Sequence, residues 1–127
     1  MSKIKLADLE VFYCVGVTEE ERANAQRLLL TIEIEYDFTS AALSDRIQEA
    51  INYADVAADL INYGRGRSWK LLEKLVSNLA DSILEKYQPQ AVQVEAKKFV
   101  IPQAQYVSVS LSRRVEKGCV RFSPPPQ

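Results

Sequence analysis

An α+β fold is predicted by three features of the chain's hydropathy pattern. The first third holds two stretches of strict alternation, the middle holds two stretches spaced at three and four, and the last third alternates again. Alternation is the period of a half-buried strand, and three-and-four spacing that of an amphipathic helix. The order strand, strand, helix, helix, strand, strand (ββααββ) implies a four-stranded antiparallel sheet with two helices on one face. The other face then needs a cover or a partner.

Strand one is read from Leu9, Val11, Tyr13, Val15 and Val17. The polar stretch from Thr18 to Asn24 breaks that pattern. Strand two follows, with Leu28, Leu30, Ile32, Ile34, Tyr36 and Phe38 on one face and Thr31, Glu33, Glu35 and Asp37 on the other. Its acidic side discourages pairing with other copies. Residues Thr39 to Asn52 are mostly polar and are assigned to a loop. Helix one is expected from Ala54 to Tyr63, before Gly64-Arg65-Gly66, which supplies residues suited to a left-handed helix end. Helix two is expected to be capped by Ser68 and to carry the stripe Leu71, Leu72, Leu75, Val76, Leu79, Ile83, Leu84 and Tyr87, closed by Pro89. Strands three and four are read from Val92, Val94 and Ala96, then from Val107, Val109 and Leu111.

The 127 residues suit one domain, assigned to 1–114, with a proline-rich tail over 115–127 expected to be flexible. Sixteen basic against seventeen acidic residues leave no positive field for nucleic acid. No apolar run approaches the roughly 20 residues that a membrane-spanning helix needs, and no secretory stretch follows Met1. Histidine is absent, which removes histidine bases, histidine triads and histidine-containing zinc sites. Cys14 and Cys119 lie far apart and read as reduced thiols of a cytoplasmic protein. An enzyme built from this chain must work with carboxylates, tyrosines and lysines, and without a metal site.

Four side chains stand near element ends where they can converge: Glu21, Tyr53, Glu73 and Lys98. Each also has an ordinary structural reading. Glu21 belongs to an acidic run, and Tyr53 can staple the start of a helix. Glu73 follows Leu71 and Leu72, so its carboxylate lies beside the apolar stripe, where it needs a partner. Lys98 shares the parity of Val92, Val94 and Ala96, which face the core, whereas Lys97 points to the other side.

These residues resemble the dihydroneopterin aldolase family from Ile4 to about Arg113. The resemblance is carried by Gly16-Val17 with Glu21 five residues after the glycine, by Asn52-Tyr53-Ala54-Asp55-Val56, by Leu71-Leu72-Glu73, and by Lys98 closing strand three. It implies a tunnelling fold, in which antiparallel sheets of several subunits join edge to edge in a homo-tetramer or homo-octamer with sites between subunits. That arrangement would remove the free sheet edges.

The resemblance further implies a pterin substrate and no cofactor. Glu73 and Leu72 resemble the pterin-binding positions, Tyr53 the tyrosine that reaches a neighbour's pocket, and Lys98 the proton-transfer lysine. Glu21 resembles the carboxylate that holds Lys98 and a water. The activity implied is retro-aldol cleavage of 7,8-dihydroneopterin, with possible epimerisation at C2'. Two alternatives stay open. One is a dihydroneopterin triphosphate 2'-epimerase, whose family shares a Leu-Leu-Glu-Lys-Leu segment like Leu71 to Leu75; the other is a non-catalytic pterin- or purine-binding protein.

Overall fold

The structure is a computed structural model and describes residues 2–115. All but the first residue of the expected flexible tail, and Cys119 with it, lie outside the described residues. In chain order the elements are β1 (Lys3–Val15), α1 (Glu19–Arg22), β2 (Gln26–Glu35), α2 (Thr39–Ser44), a 3-10 turn (Ile47–Glu49), α3 (Tyr53–Asn62), β3 (Ser68–Trp69), α4 (Leu72–Tyr87), β4 (Ala91–Lys98) and β5 (Val107–Arg114).

The sheet has five strands in the order β3-β1-β2-β4-β5 and is mixed, which corrects the four-stranded antiparallel sheet expected from the sequence. The four long strands do pair antiparallel. The fifth, β3, adds a parallel pairing of Ser68 and Trp69 with Cys14 and Val15. It is two residues long, too short for any alternation to show. Tertiary packing holds it: Trp69 is 6% exposed, stacks on Tyr63 and packs against Tyr13, and its carbonyl accepts the Gly16 N–H at 2.9 Å.

That pairing also overturns the cap expected of Ser68. The residue is extended, α4 starts at Leu72, and its N-cap Leu71 makes no side-chain capping bond. Leu71, expected in the apolar stripe, is instead 52% exposed. The segment assigned to loop between Thr39 and Asn52 contains α2 and the 3-10 turn. β1 begins six residues before the alternation read from Leu9, because a bulge between Leu6 and Leu9 reverses the parity. Asp8 takes φ 53 there, with its backbone N–H on Thr31 Oγ1 at 3.1 Å.

The core lies between the sheet and helices α3 and α4. Val11, Tyr13, Val15, Leu28, Leu30, Ile32, Ile34, Val92, Val94 and Ala96 come from the strands, and Val56, Leu60, Leu75, Val76, Leu79, Ile83 and Leu84 from the helices. Tyr13 is fully buried, and its hydroxyl donates to the Leu60 carbonyl at 2.5 Å. Burial raises its pKa well above the ordinary tyrosine value. α3 begins at Tyr53 because Asn52 Oδ1 accepts the Ala54 N–H at 3.0 Å. Lys86 and Tyr87 of α4 both donate to Asp59 of α3, tying the helices together.

Among the described residues the outer edges of β5, of the two-residue β3 and of β1 before Cys14 carry no strand partner. No described helix is long and apolar enough to cross a membrane.

Candidate active site

The end of the sheet where β1 finishes and β4 closes brings Lys98 and Glu21 together. Lys98 pairs with Leu28 of β2 and points to the helix side, where its residue is 9% exposed. A lysine this buried requires charge compensation. Its Nζ stands 3.6 Å from Glu21 Oε2 and 3.4 Å from the Val15 carbonyl oxygen. Lys97 emerges on the opposite face, 2.8 Å from Asp8, with its ammonium over the Tyr106 ring.

Glu21 is set by the first turn of α1. Thr18 caps the helix, its Oγ1 accepting the Glu21 N–H at 3.1 Å while Glu21 Oε1 accepts the Thr18 N–H at 3.4 Å. The backbone hydrogen bond from Thr18, with the Lys98 charge behind it, lowers the Glu21 pKa against a smaller opposing effect of burial. Gly16 is needed because a Cβ there would stand 2.2 Å from Glu21 Cβ. The glycine therefore lets the Glu21 side chain lie back across the strand end.

Glu73 is exposed in the first turn of α4 and lines a groove of about 460 Å³ with Lys74, Val76, Ser77, Val109, Ser110, Leu111 and Arg113. It forms no ion pair among the described residues. Because α4 has no side-chain cap, backbone N–H donors of its first turn stand beside this acceptor. Arg113 closes the groove floor, bonded to Asp81 and to Ser77 Oγ at 2.9 Å. Leu72 is 8% exposed and anchors the helix start in the core.

Tyr53 is 61% exposed at the start of α3. Within one chain it makes no hydrogen bond to Glu21, Lys98 or Glu73. The chain thus joins Glu21 with Lys98, gives Glu73 a groove at the β5 edge, and leaves Tyr53 directed away from its own core. Among the described residues, no group of three histidine, cysteine, aspartate or glutamate side chains could hold a metal ion.

The sequence profile of the dihydroneopterin aldolase (FolB) family matches residues 4–112. The chain belongs to the dihydroneopterin aldolase family. It is 29% identical to the Haemophilus influenzae dihydroneopterin aldolase over 95% of this chain and 100% of that protein. It is 30% identical to the Escherichia coli dihydroneopterin triphosphate 2'-epimerase over 86% of this chain and 92% of that protein. The crystal structure of E. coli dihydroneopterin aldolase in complex with neopterin superposes with a TM-score of 0.84 at 25% identity, covering 89% of this chain and 99% of that one.

Sequence reasoning missed one polar group of this dihydroneopterin aldolase family member. Gln26 opens β2, and its Nε2 donates to the Val15 carbonyl at 2.6 Å and to the Glu21 carbonyl at 3.2 Å. A signal was present: Gln26 has the parity of Leu28, Leu30, Ile32 and Ile34, so an amide stands where the strand otherwise presents core residues.

Proposed function

We propose that the protein is a 7,8-dihydroneopterin aldolase that cleaves its substrate to 6-hydroxymethyl-7,8-dihydropterin and glycolaldehyde, a step of folate biosynthesis. The observation that carries this reading is the ion pair of buried Lys98 with Glu21, at 3.6 Å, in a chain of the aldolase family. A lysine buried at the end of a strand beside a carboxylate is placed to pass protons to a ligand bound there. The neopterin bound to the E. coli structure supports a pterin as the ligand.

In this reading Glu73 accepts the 2-amino and ring N–H donors of the pterin as a charge-assisted pair, beside the free amides that follow Leu72. Lys98 works through a water that Glu21 helps to hold. Protonation of ring N5 makes the C6=N5 imine an electron sink. A base removes the 2'-hydroxyl proton, the C1'–C2' bond breaks, and its electrons pass into the ring as an enamine. Glycolaldehyde leaves, and the enamine takes a proton from Tyr53 or the Lys98 water. The ring supplies the sink, so neither a Schiff base nor a metal is required. Readdition on the other face of the aldehyde would invert C2'.

Tyr53 acts in this scheme on a neighbouring subunit's pterin, within a homo-tetrameric or homo-octameric ring of the tunnelling fold. The unpaired edges of β1 and β5 and the 61% exposure of Tyr53 support that assembly. In this reading the protein works in the cytoplasm, and Cys14 is unpaired among the described residues. The epimerase reading is favoured by one observation, the 30% identity to the E. coli triphosphate 2'-epimerase. Incubation with dihydroneopterin and with its triphosphate, followed by chromatography, tests both. Glycolaldehyde from dihydroneopterin supports the aldolase; inverted triphosphate without cleavage of either compound would replace it with the epimerase.

A further inference from the structure

Gln26 reaches both halves of the Lys98–Glu21 pair. One N–H of its amide goes to the Val15 carbonyl, the same oxygen that accepts from Lys98 Nζ, and the other goes to the backbone carbonyl of Glu21 itself. A carbonyl oxygen has two lone pairs, so the two bonds at Val15 coexist. Both amide N–H groups are used within the chain, which leaves Gln26 no donor for substrate. Arg22 clamps the neighbouring turn, with Nη1 on the Gly16 and Val17 carbonyls at 2.8 Å each, but touches neither partner of the pair. Arg22 thus ties α1 to the residues after the strand end, whereas Gln26 ties the Glu21 carbonyl to the Val15 carbonyl that Lys98 touches.

We infer that Gln26 is a positioning residue for proton transfer, fixing the Val15 carbonyl and α1 so that Lys98 and Glu21 keep their separation. The inference rests on the aldolase reading for its kinetic consequence. α1 has four residues and buries none of them. Without the Gln26 bridge its link to the strand end falls to the Arg22 clamp, and the Glu21 carboxylate loses its fixed place opposite Lys98. Small misplacements of a catalytic group cost rate far more than they cost affinity.

The test uses Gln26→Leu, which keeps the volume and removes the donors, and Gln26→Glu, which sets an oxygen against two carbonyls. In both variants kcat on dihydroneopterin should fall by about 10- to 100-fold, while affinity for the pterin product stays within about twofold. In a Lys98→Ala background Gln26→Leu should cause no further loss, since the two act as one unit. A readout free of turnover is the carbon-13 NMR titration of Glu21, whose midpoint should rise in Gln26→Leu by the part of its lowering that Lys98 supplies, the larger part from the Thr18 N–H staying in place. An unchanged Glu21 midpoint in the folded variant would overturn the inference, and so would an equal loss of rate with and without Lys98. If wild type and Lys98→Ala react alike, the aldolase reading falls, while the Glu21 titration still decides the positioning role. If Gln26→Leu does not fold, Gln26→Asn, with the amide kept and its reach shortened, decides by the same readouts.

Discussion

Lys97 and Lys98, adjacent in the chain, end on opposite faces of the sheet with different acids. The Lys98 Nζ meets Glu21 at 3.6 Å on the helix side, and the Lys97 Nζ meets Asp8 at 2.8 Å on the outer side. The strand's period of two makes this separation unavoidable once Val92, Val94 and Ala96 are buried. Both lysines are charge-paired, so charge alone would not tell them apart. What distinguishes them is position: Lys98 lies at the strand end against β1 and α1, and Lys97 braces the bulge at Asp8.

Lys98→Ala is therefore expected to slow the chemical step by about 100- to 10,000-fold, the range for a general acid–base group. Lys97→Ala should leave turnover within about threefold and lower stability slightly, as an exposed ion pair does. Single-turnover rates on the two variants check this. Normal turnover by Lys98→Ala with loss in Lys97→Ala would move the chemistry to the other face.

Glu73→Ala should behave differently, because it removes an acceptor and no proton-transfer group. Loss of a charged partner for buried ligand donors costs roughly 2–4 kcal/mol, or about 30- to 1000-fold in affinity. Equilibrium titration with 6-hydroxymethyl-7,8-dihydropterin measures it. Wild-type affinity in this variant would remove Glu73 from the pterin site.

Periodicity made the long elements legible, because each buries one face for at least three side chains. Lys98 was legible by parity for the same reason. The start of β1 was hidden by Asp8, whose left-handed backbone puts Ile4 and Leu6 on the face shared by Leu9 and Val11 despite their even numbers. Ser68-Trp69 was hidden because two residues carry no period, and its strand geometry comes from Tyr13, Tyr63 and the Gly16 N–H, remote in sequence. The setting of Glu73 was only partly legible: its place beside the stripe was visible, but the groove depends on β5, which follows more than thirty residues later.

Gly16→Ala should damage both the turn and the chemistry. The added methyl group would lie 2.2 Å from Glu21 Cβ, and neither the capped turn nor the buried strand end can give way freely. Overpacking of this kind costs about 1–3 kcal/mol, and the displaced Glu21 should lower kcat as well. Thermal unfolding and kcat measured together test the claim. A variant with wild-type melting and wild-type kcat would show that Glu21 can move without consequence.

The pH dependence of stability has a defined sign. The folded protein holds the Glu21 pKa below its ordinary value, so the unfolded chain binds the proton more readily as the pH falls. The stabilisation is thus fully present above the unfolded value of about 4.3 and is lost as the pH falls through the lower folded value. Glu21→Gln keeps a capping side chain and removes the charge. The Tm difference between wild type and Glu21→Gln should be constant near neutrality and shrink toward zero in acid. A gap that persists unchanged in strong acid would assign the effect to packing.

Subunit complementation tests whether Tyr53 serves a neighbour. Tyr53 is exposed and unbonded to the other site groups of its own chain, whereas Lys98 is buried beside Glu21. If a complete site takes Tyr53 from one subunit and Lys98 from the next, Tyr53→Ala and Lys98→Ala proteins are each inactive, but their mixed rings are not. Random mixing in equal amounts, after unfolding and refolding together, gives each site an even chance of an intact Tyr53 and, independently, of an intact Lys98. About a quarter of the wild-type rate should then return. If both groups belonged to one chain, no site in a mixed ring could hold both, and the mixture would stay as inactive as its parents. Light scattering on the same samples must show an assembly larger than a monomer, since a stable monomer at micromolar concentration would leave Tyr53 no neighbour to serve.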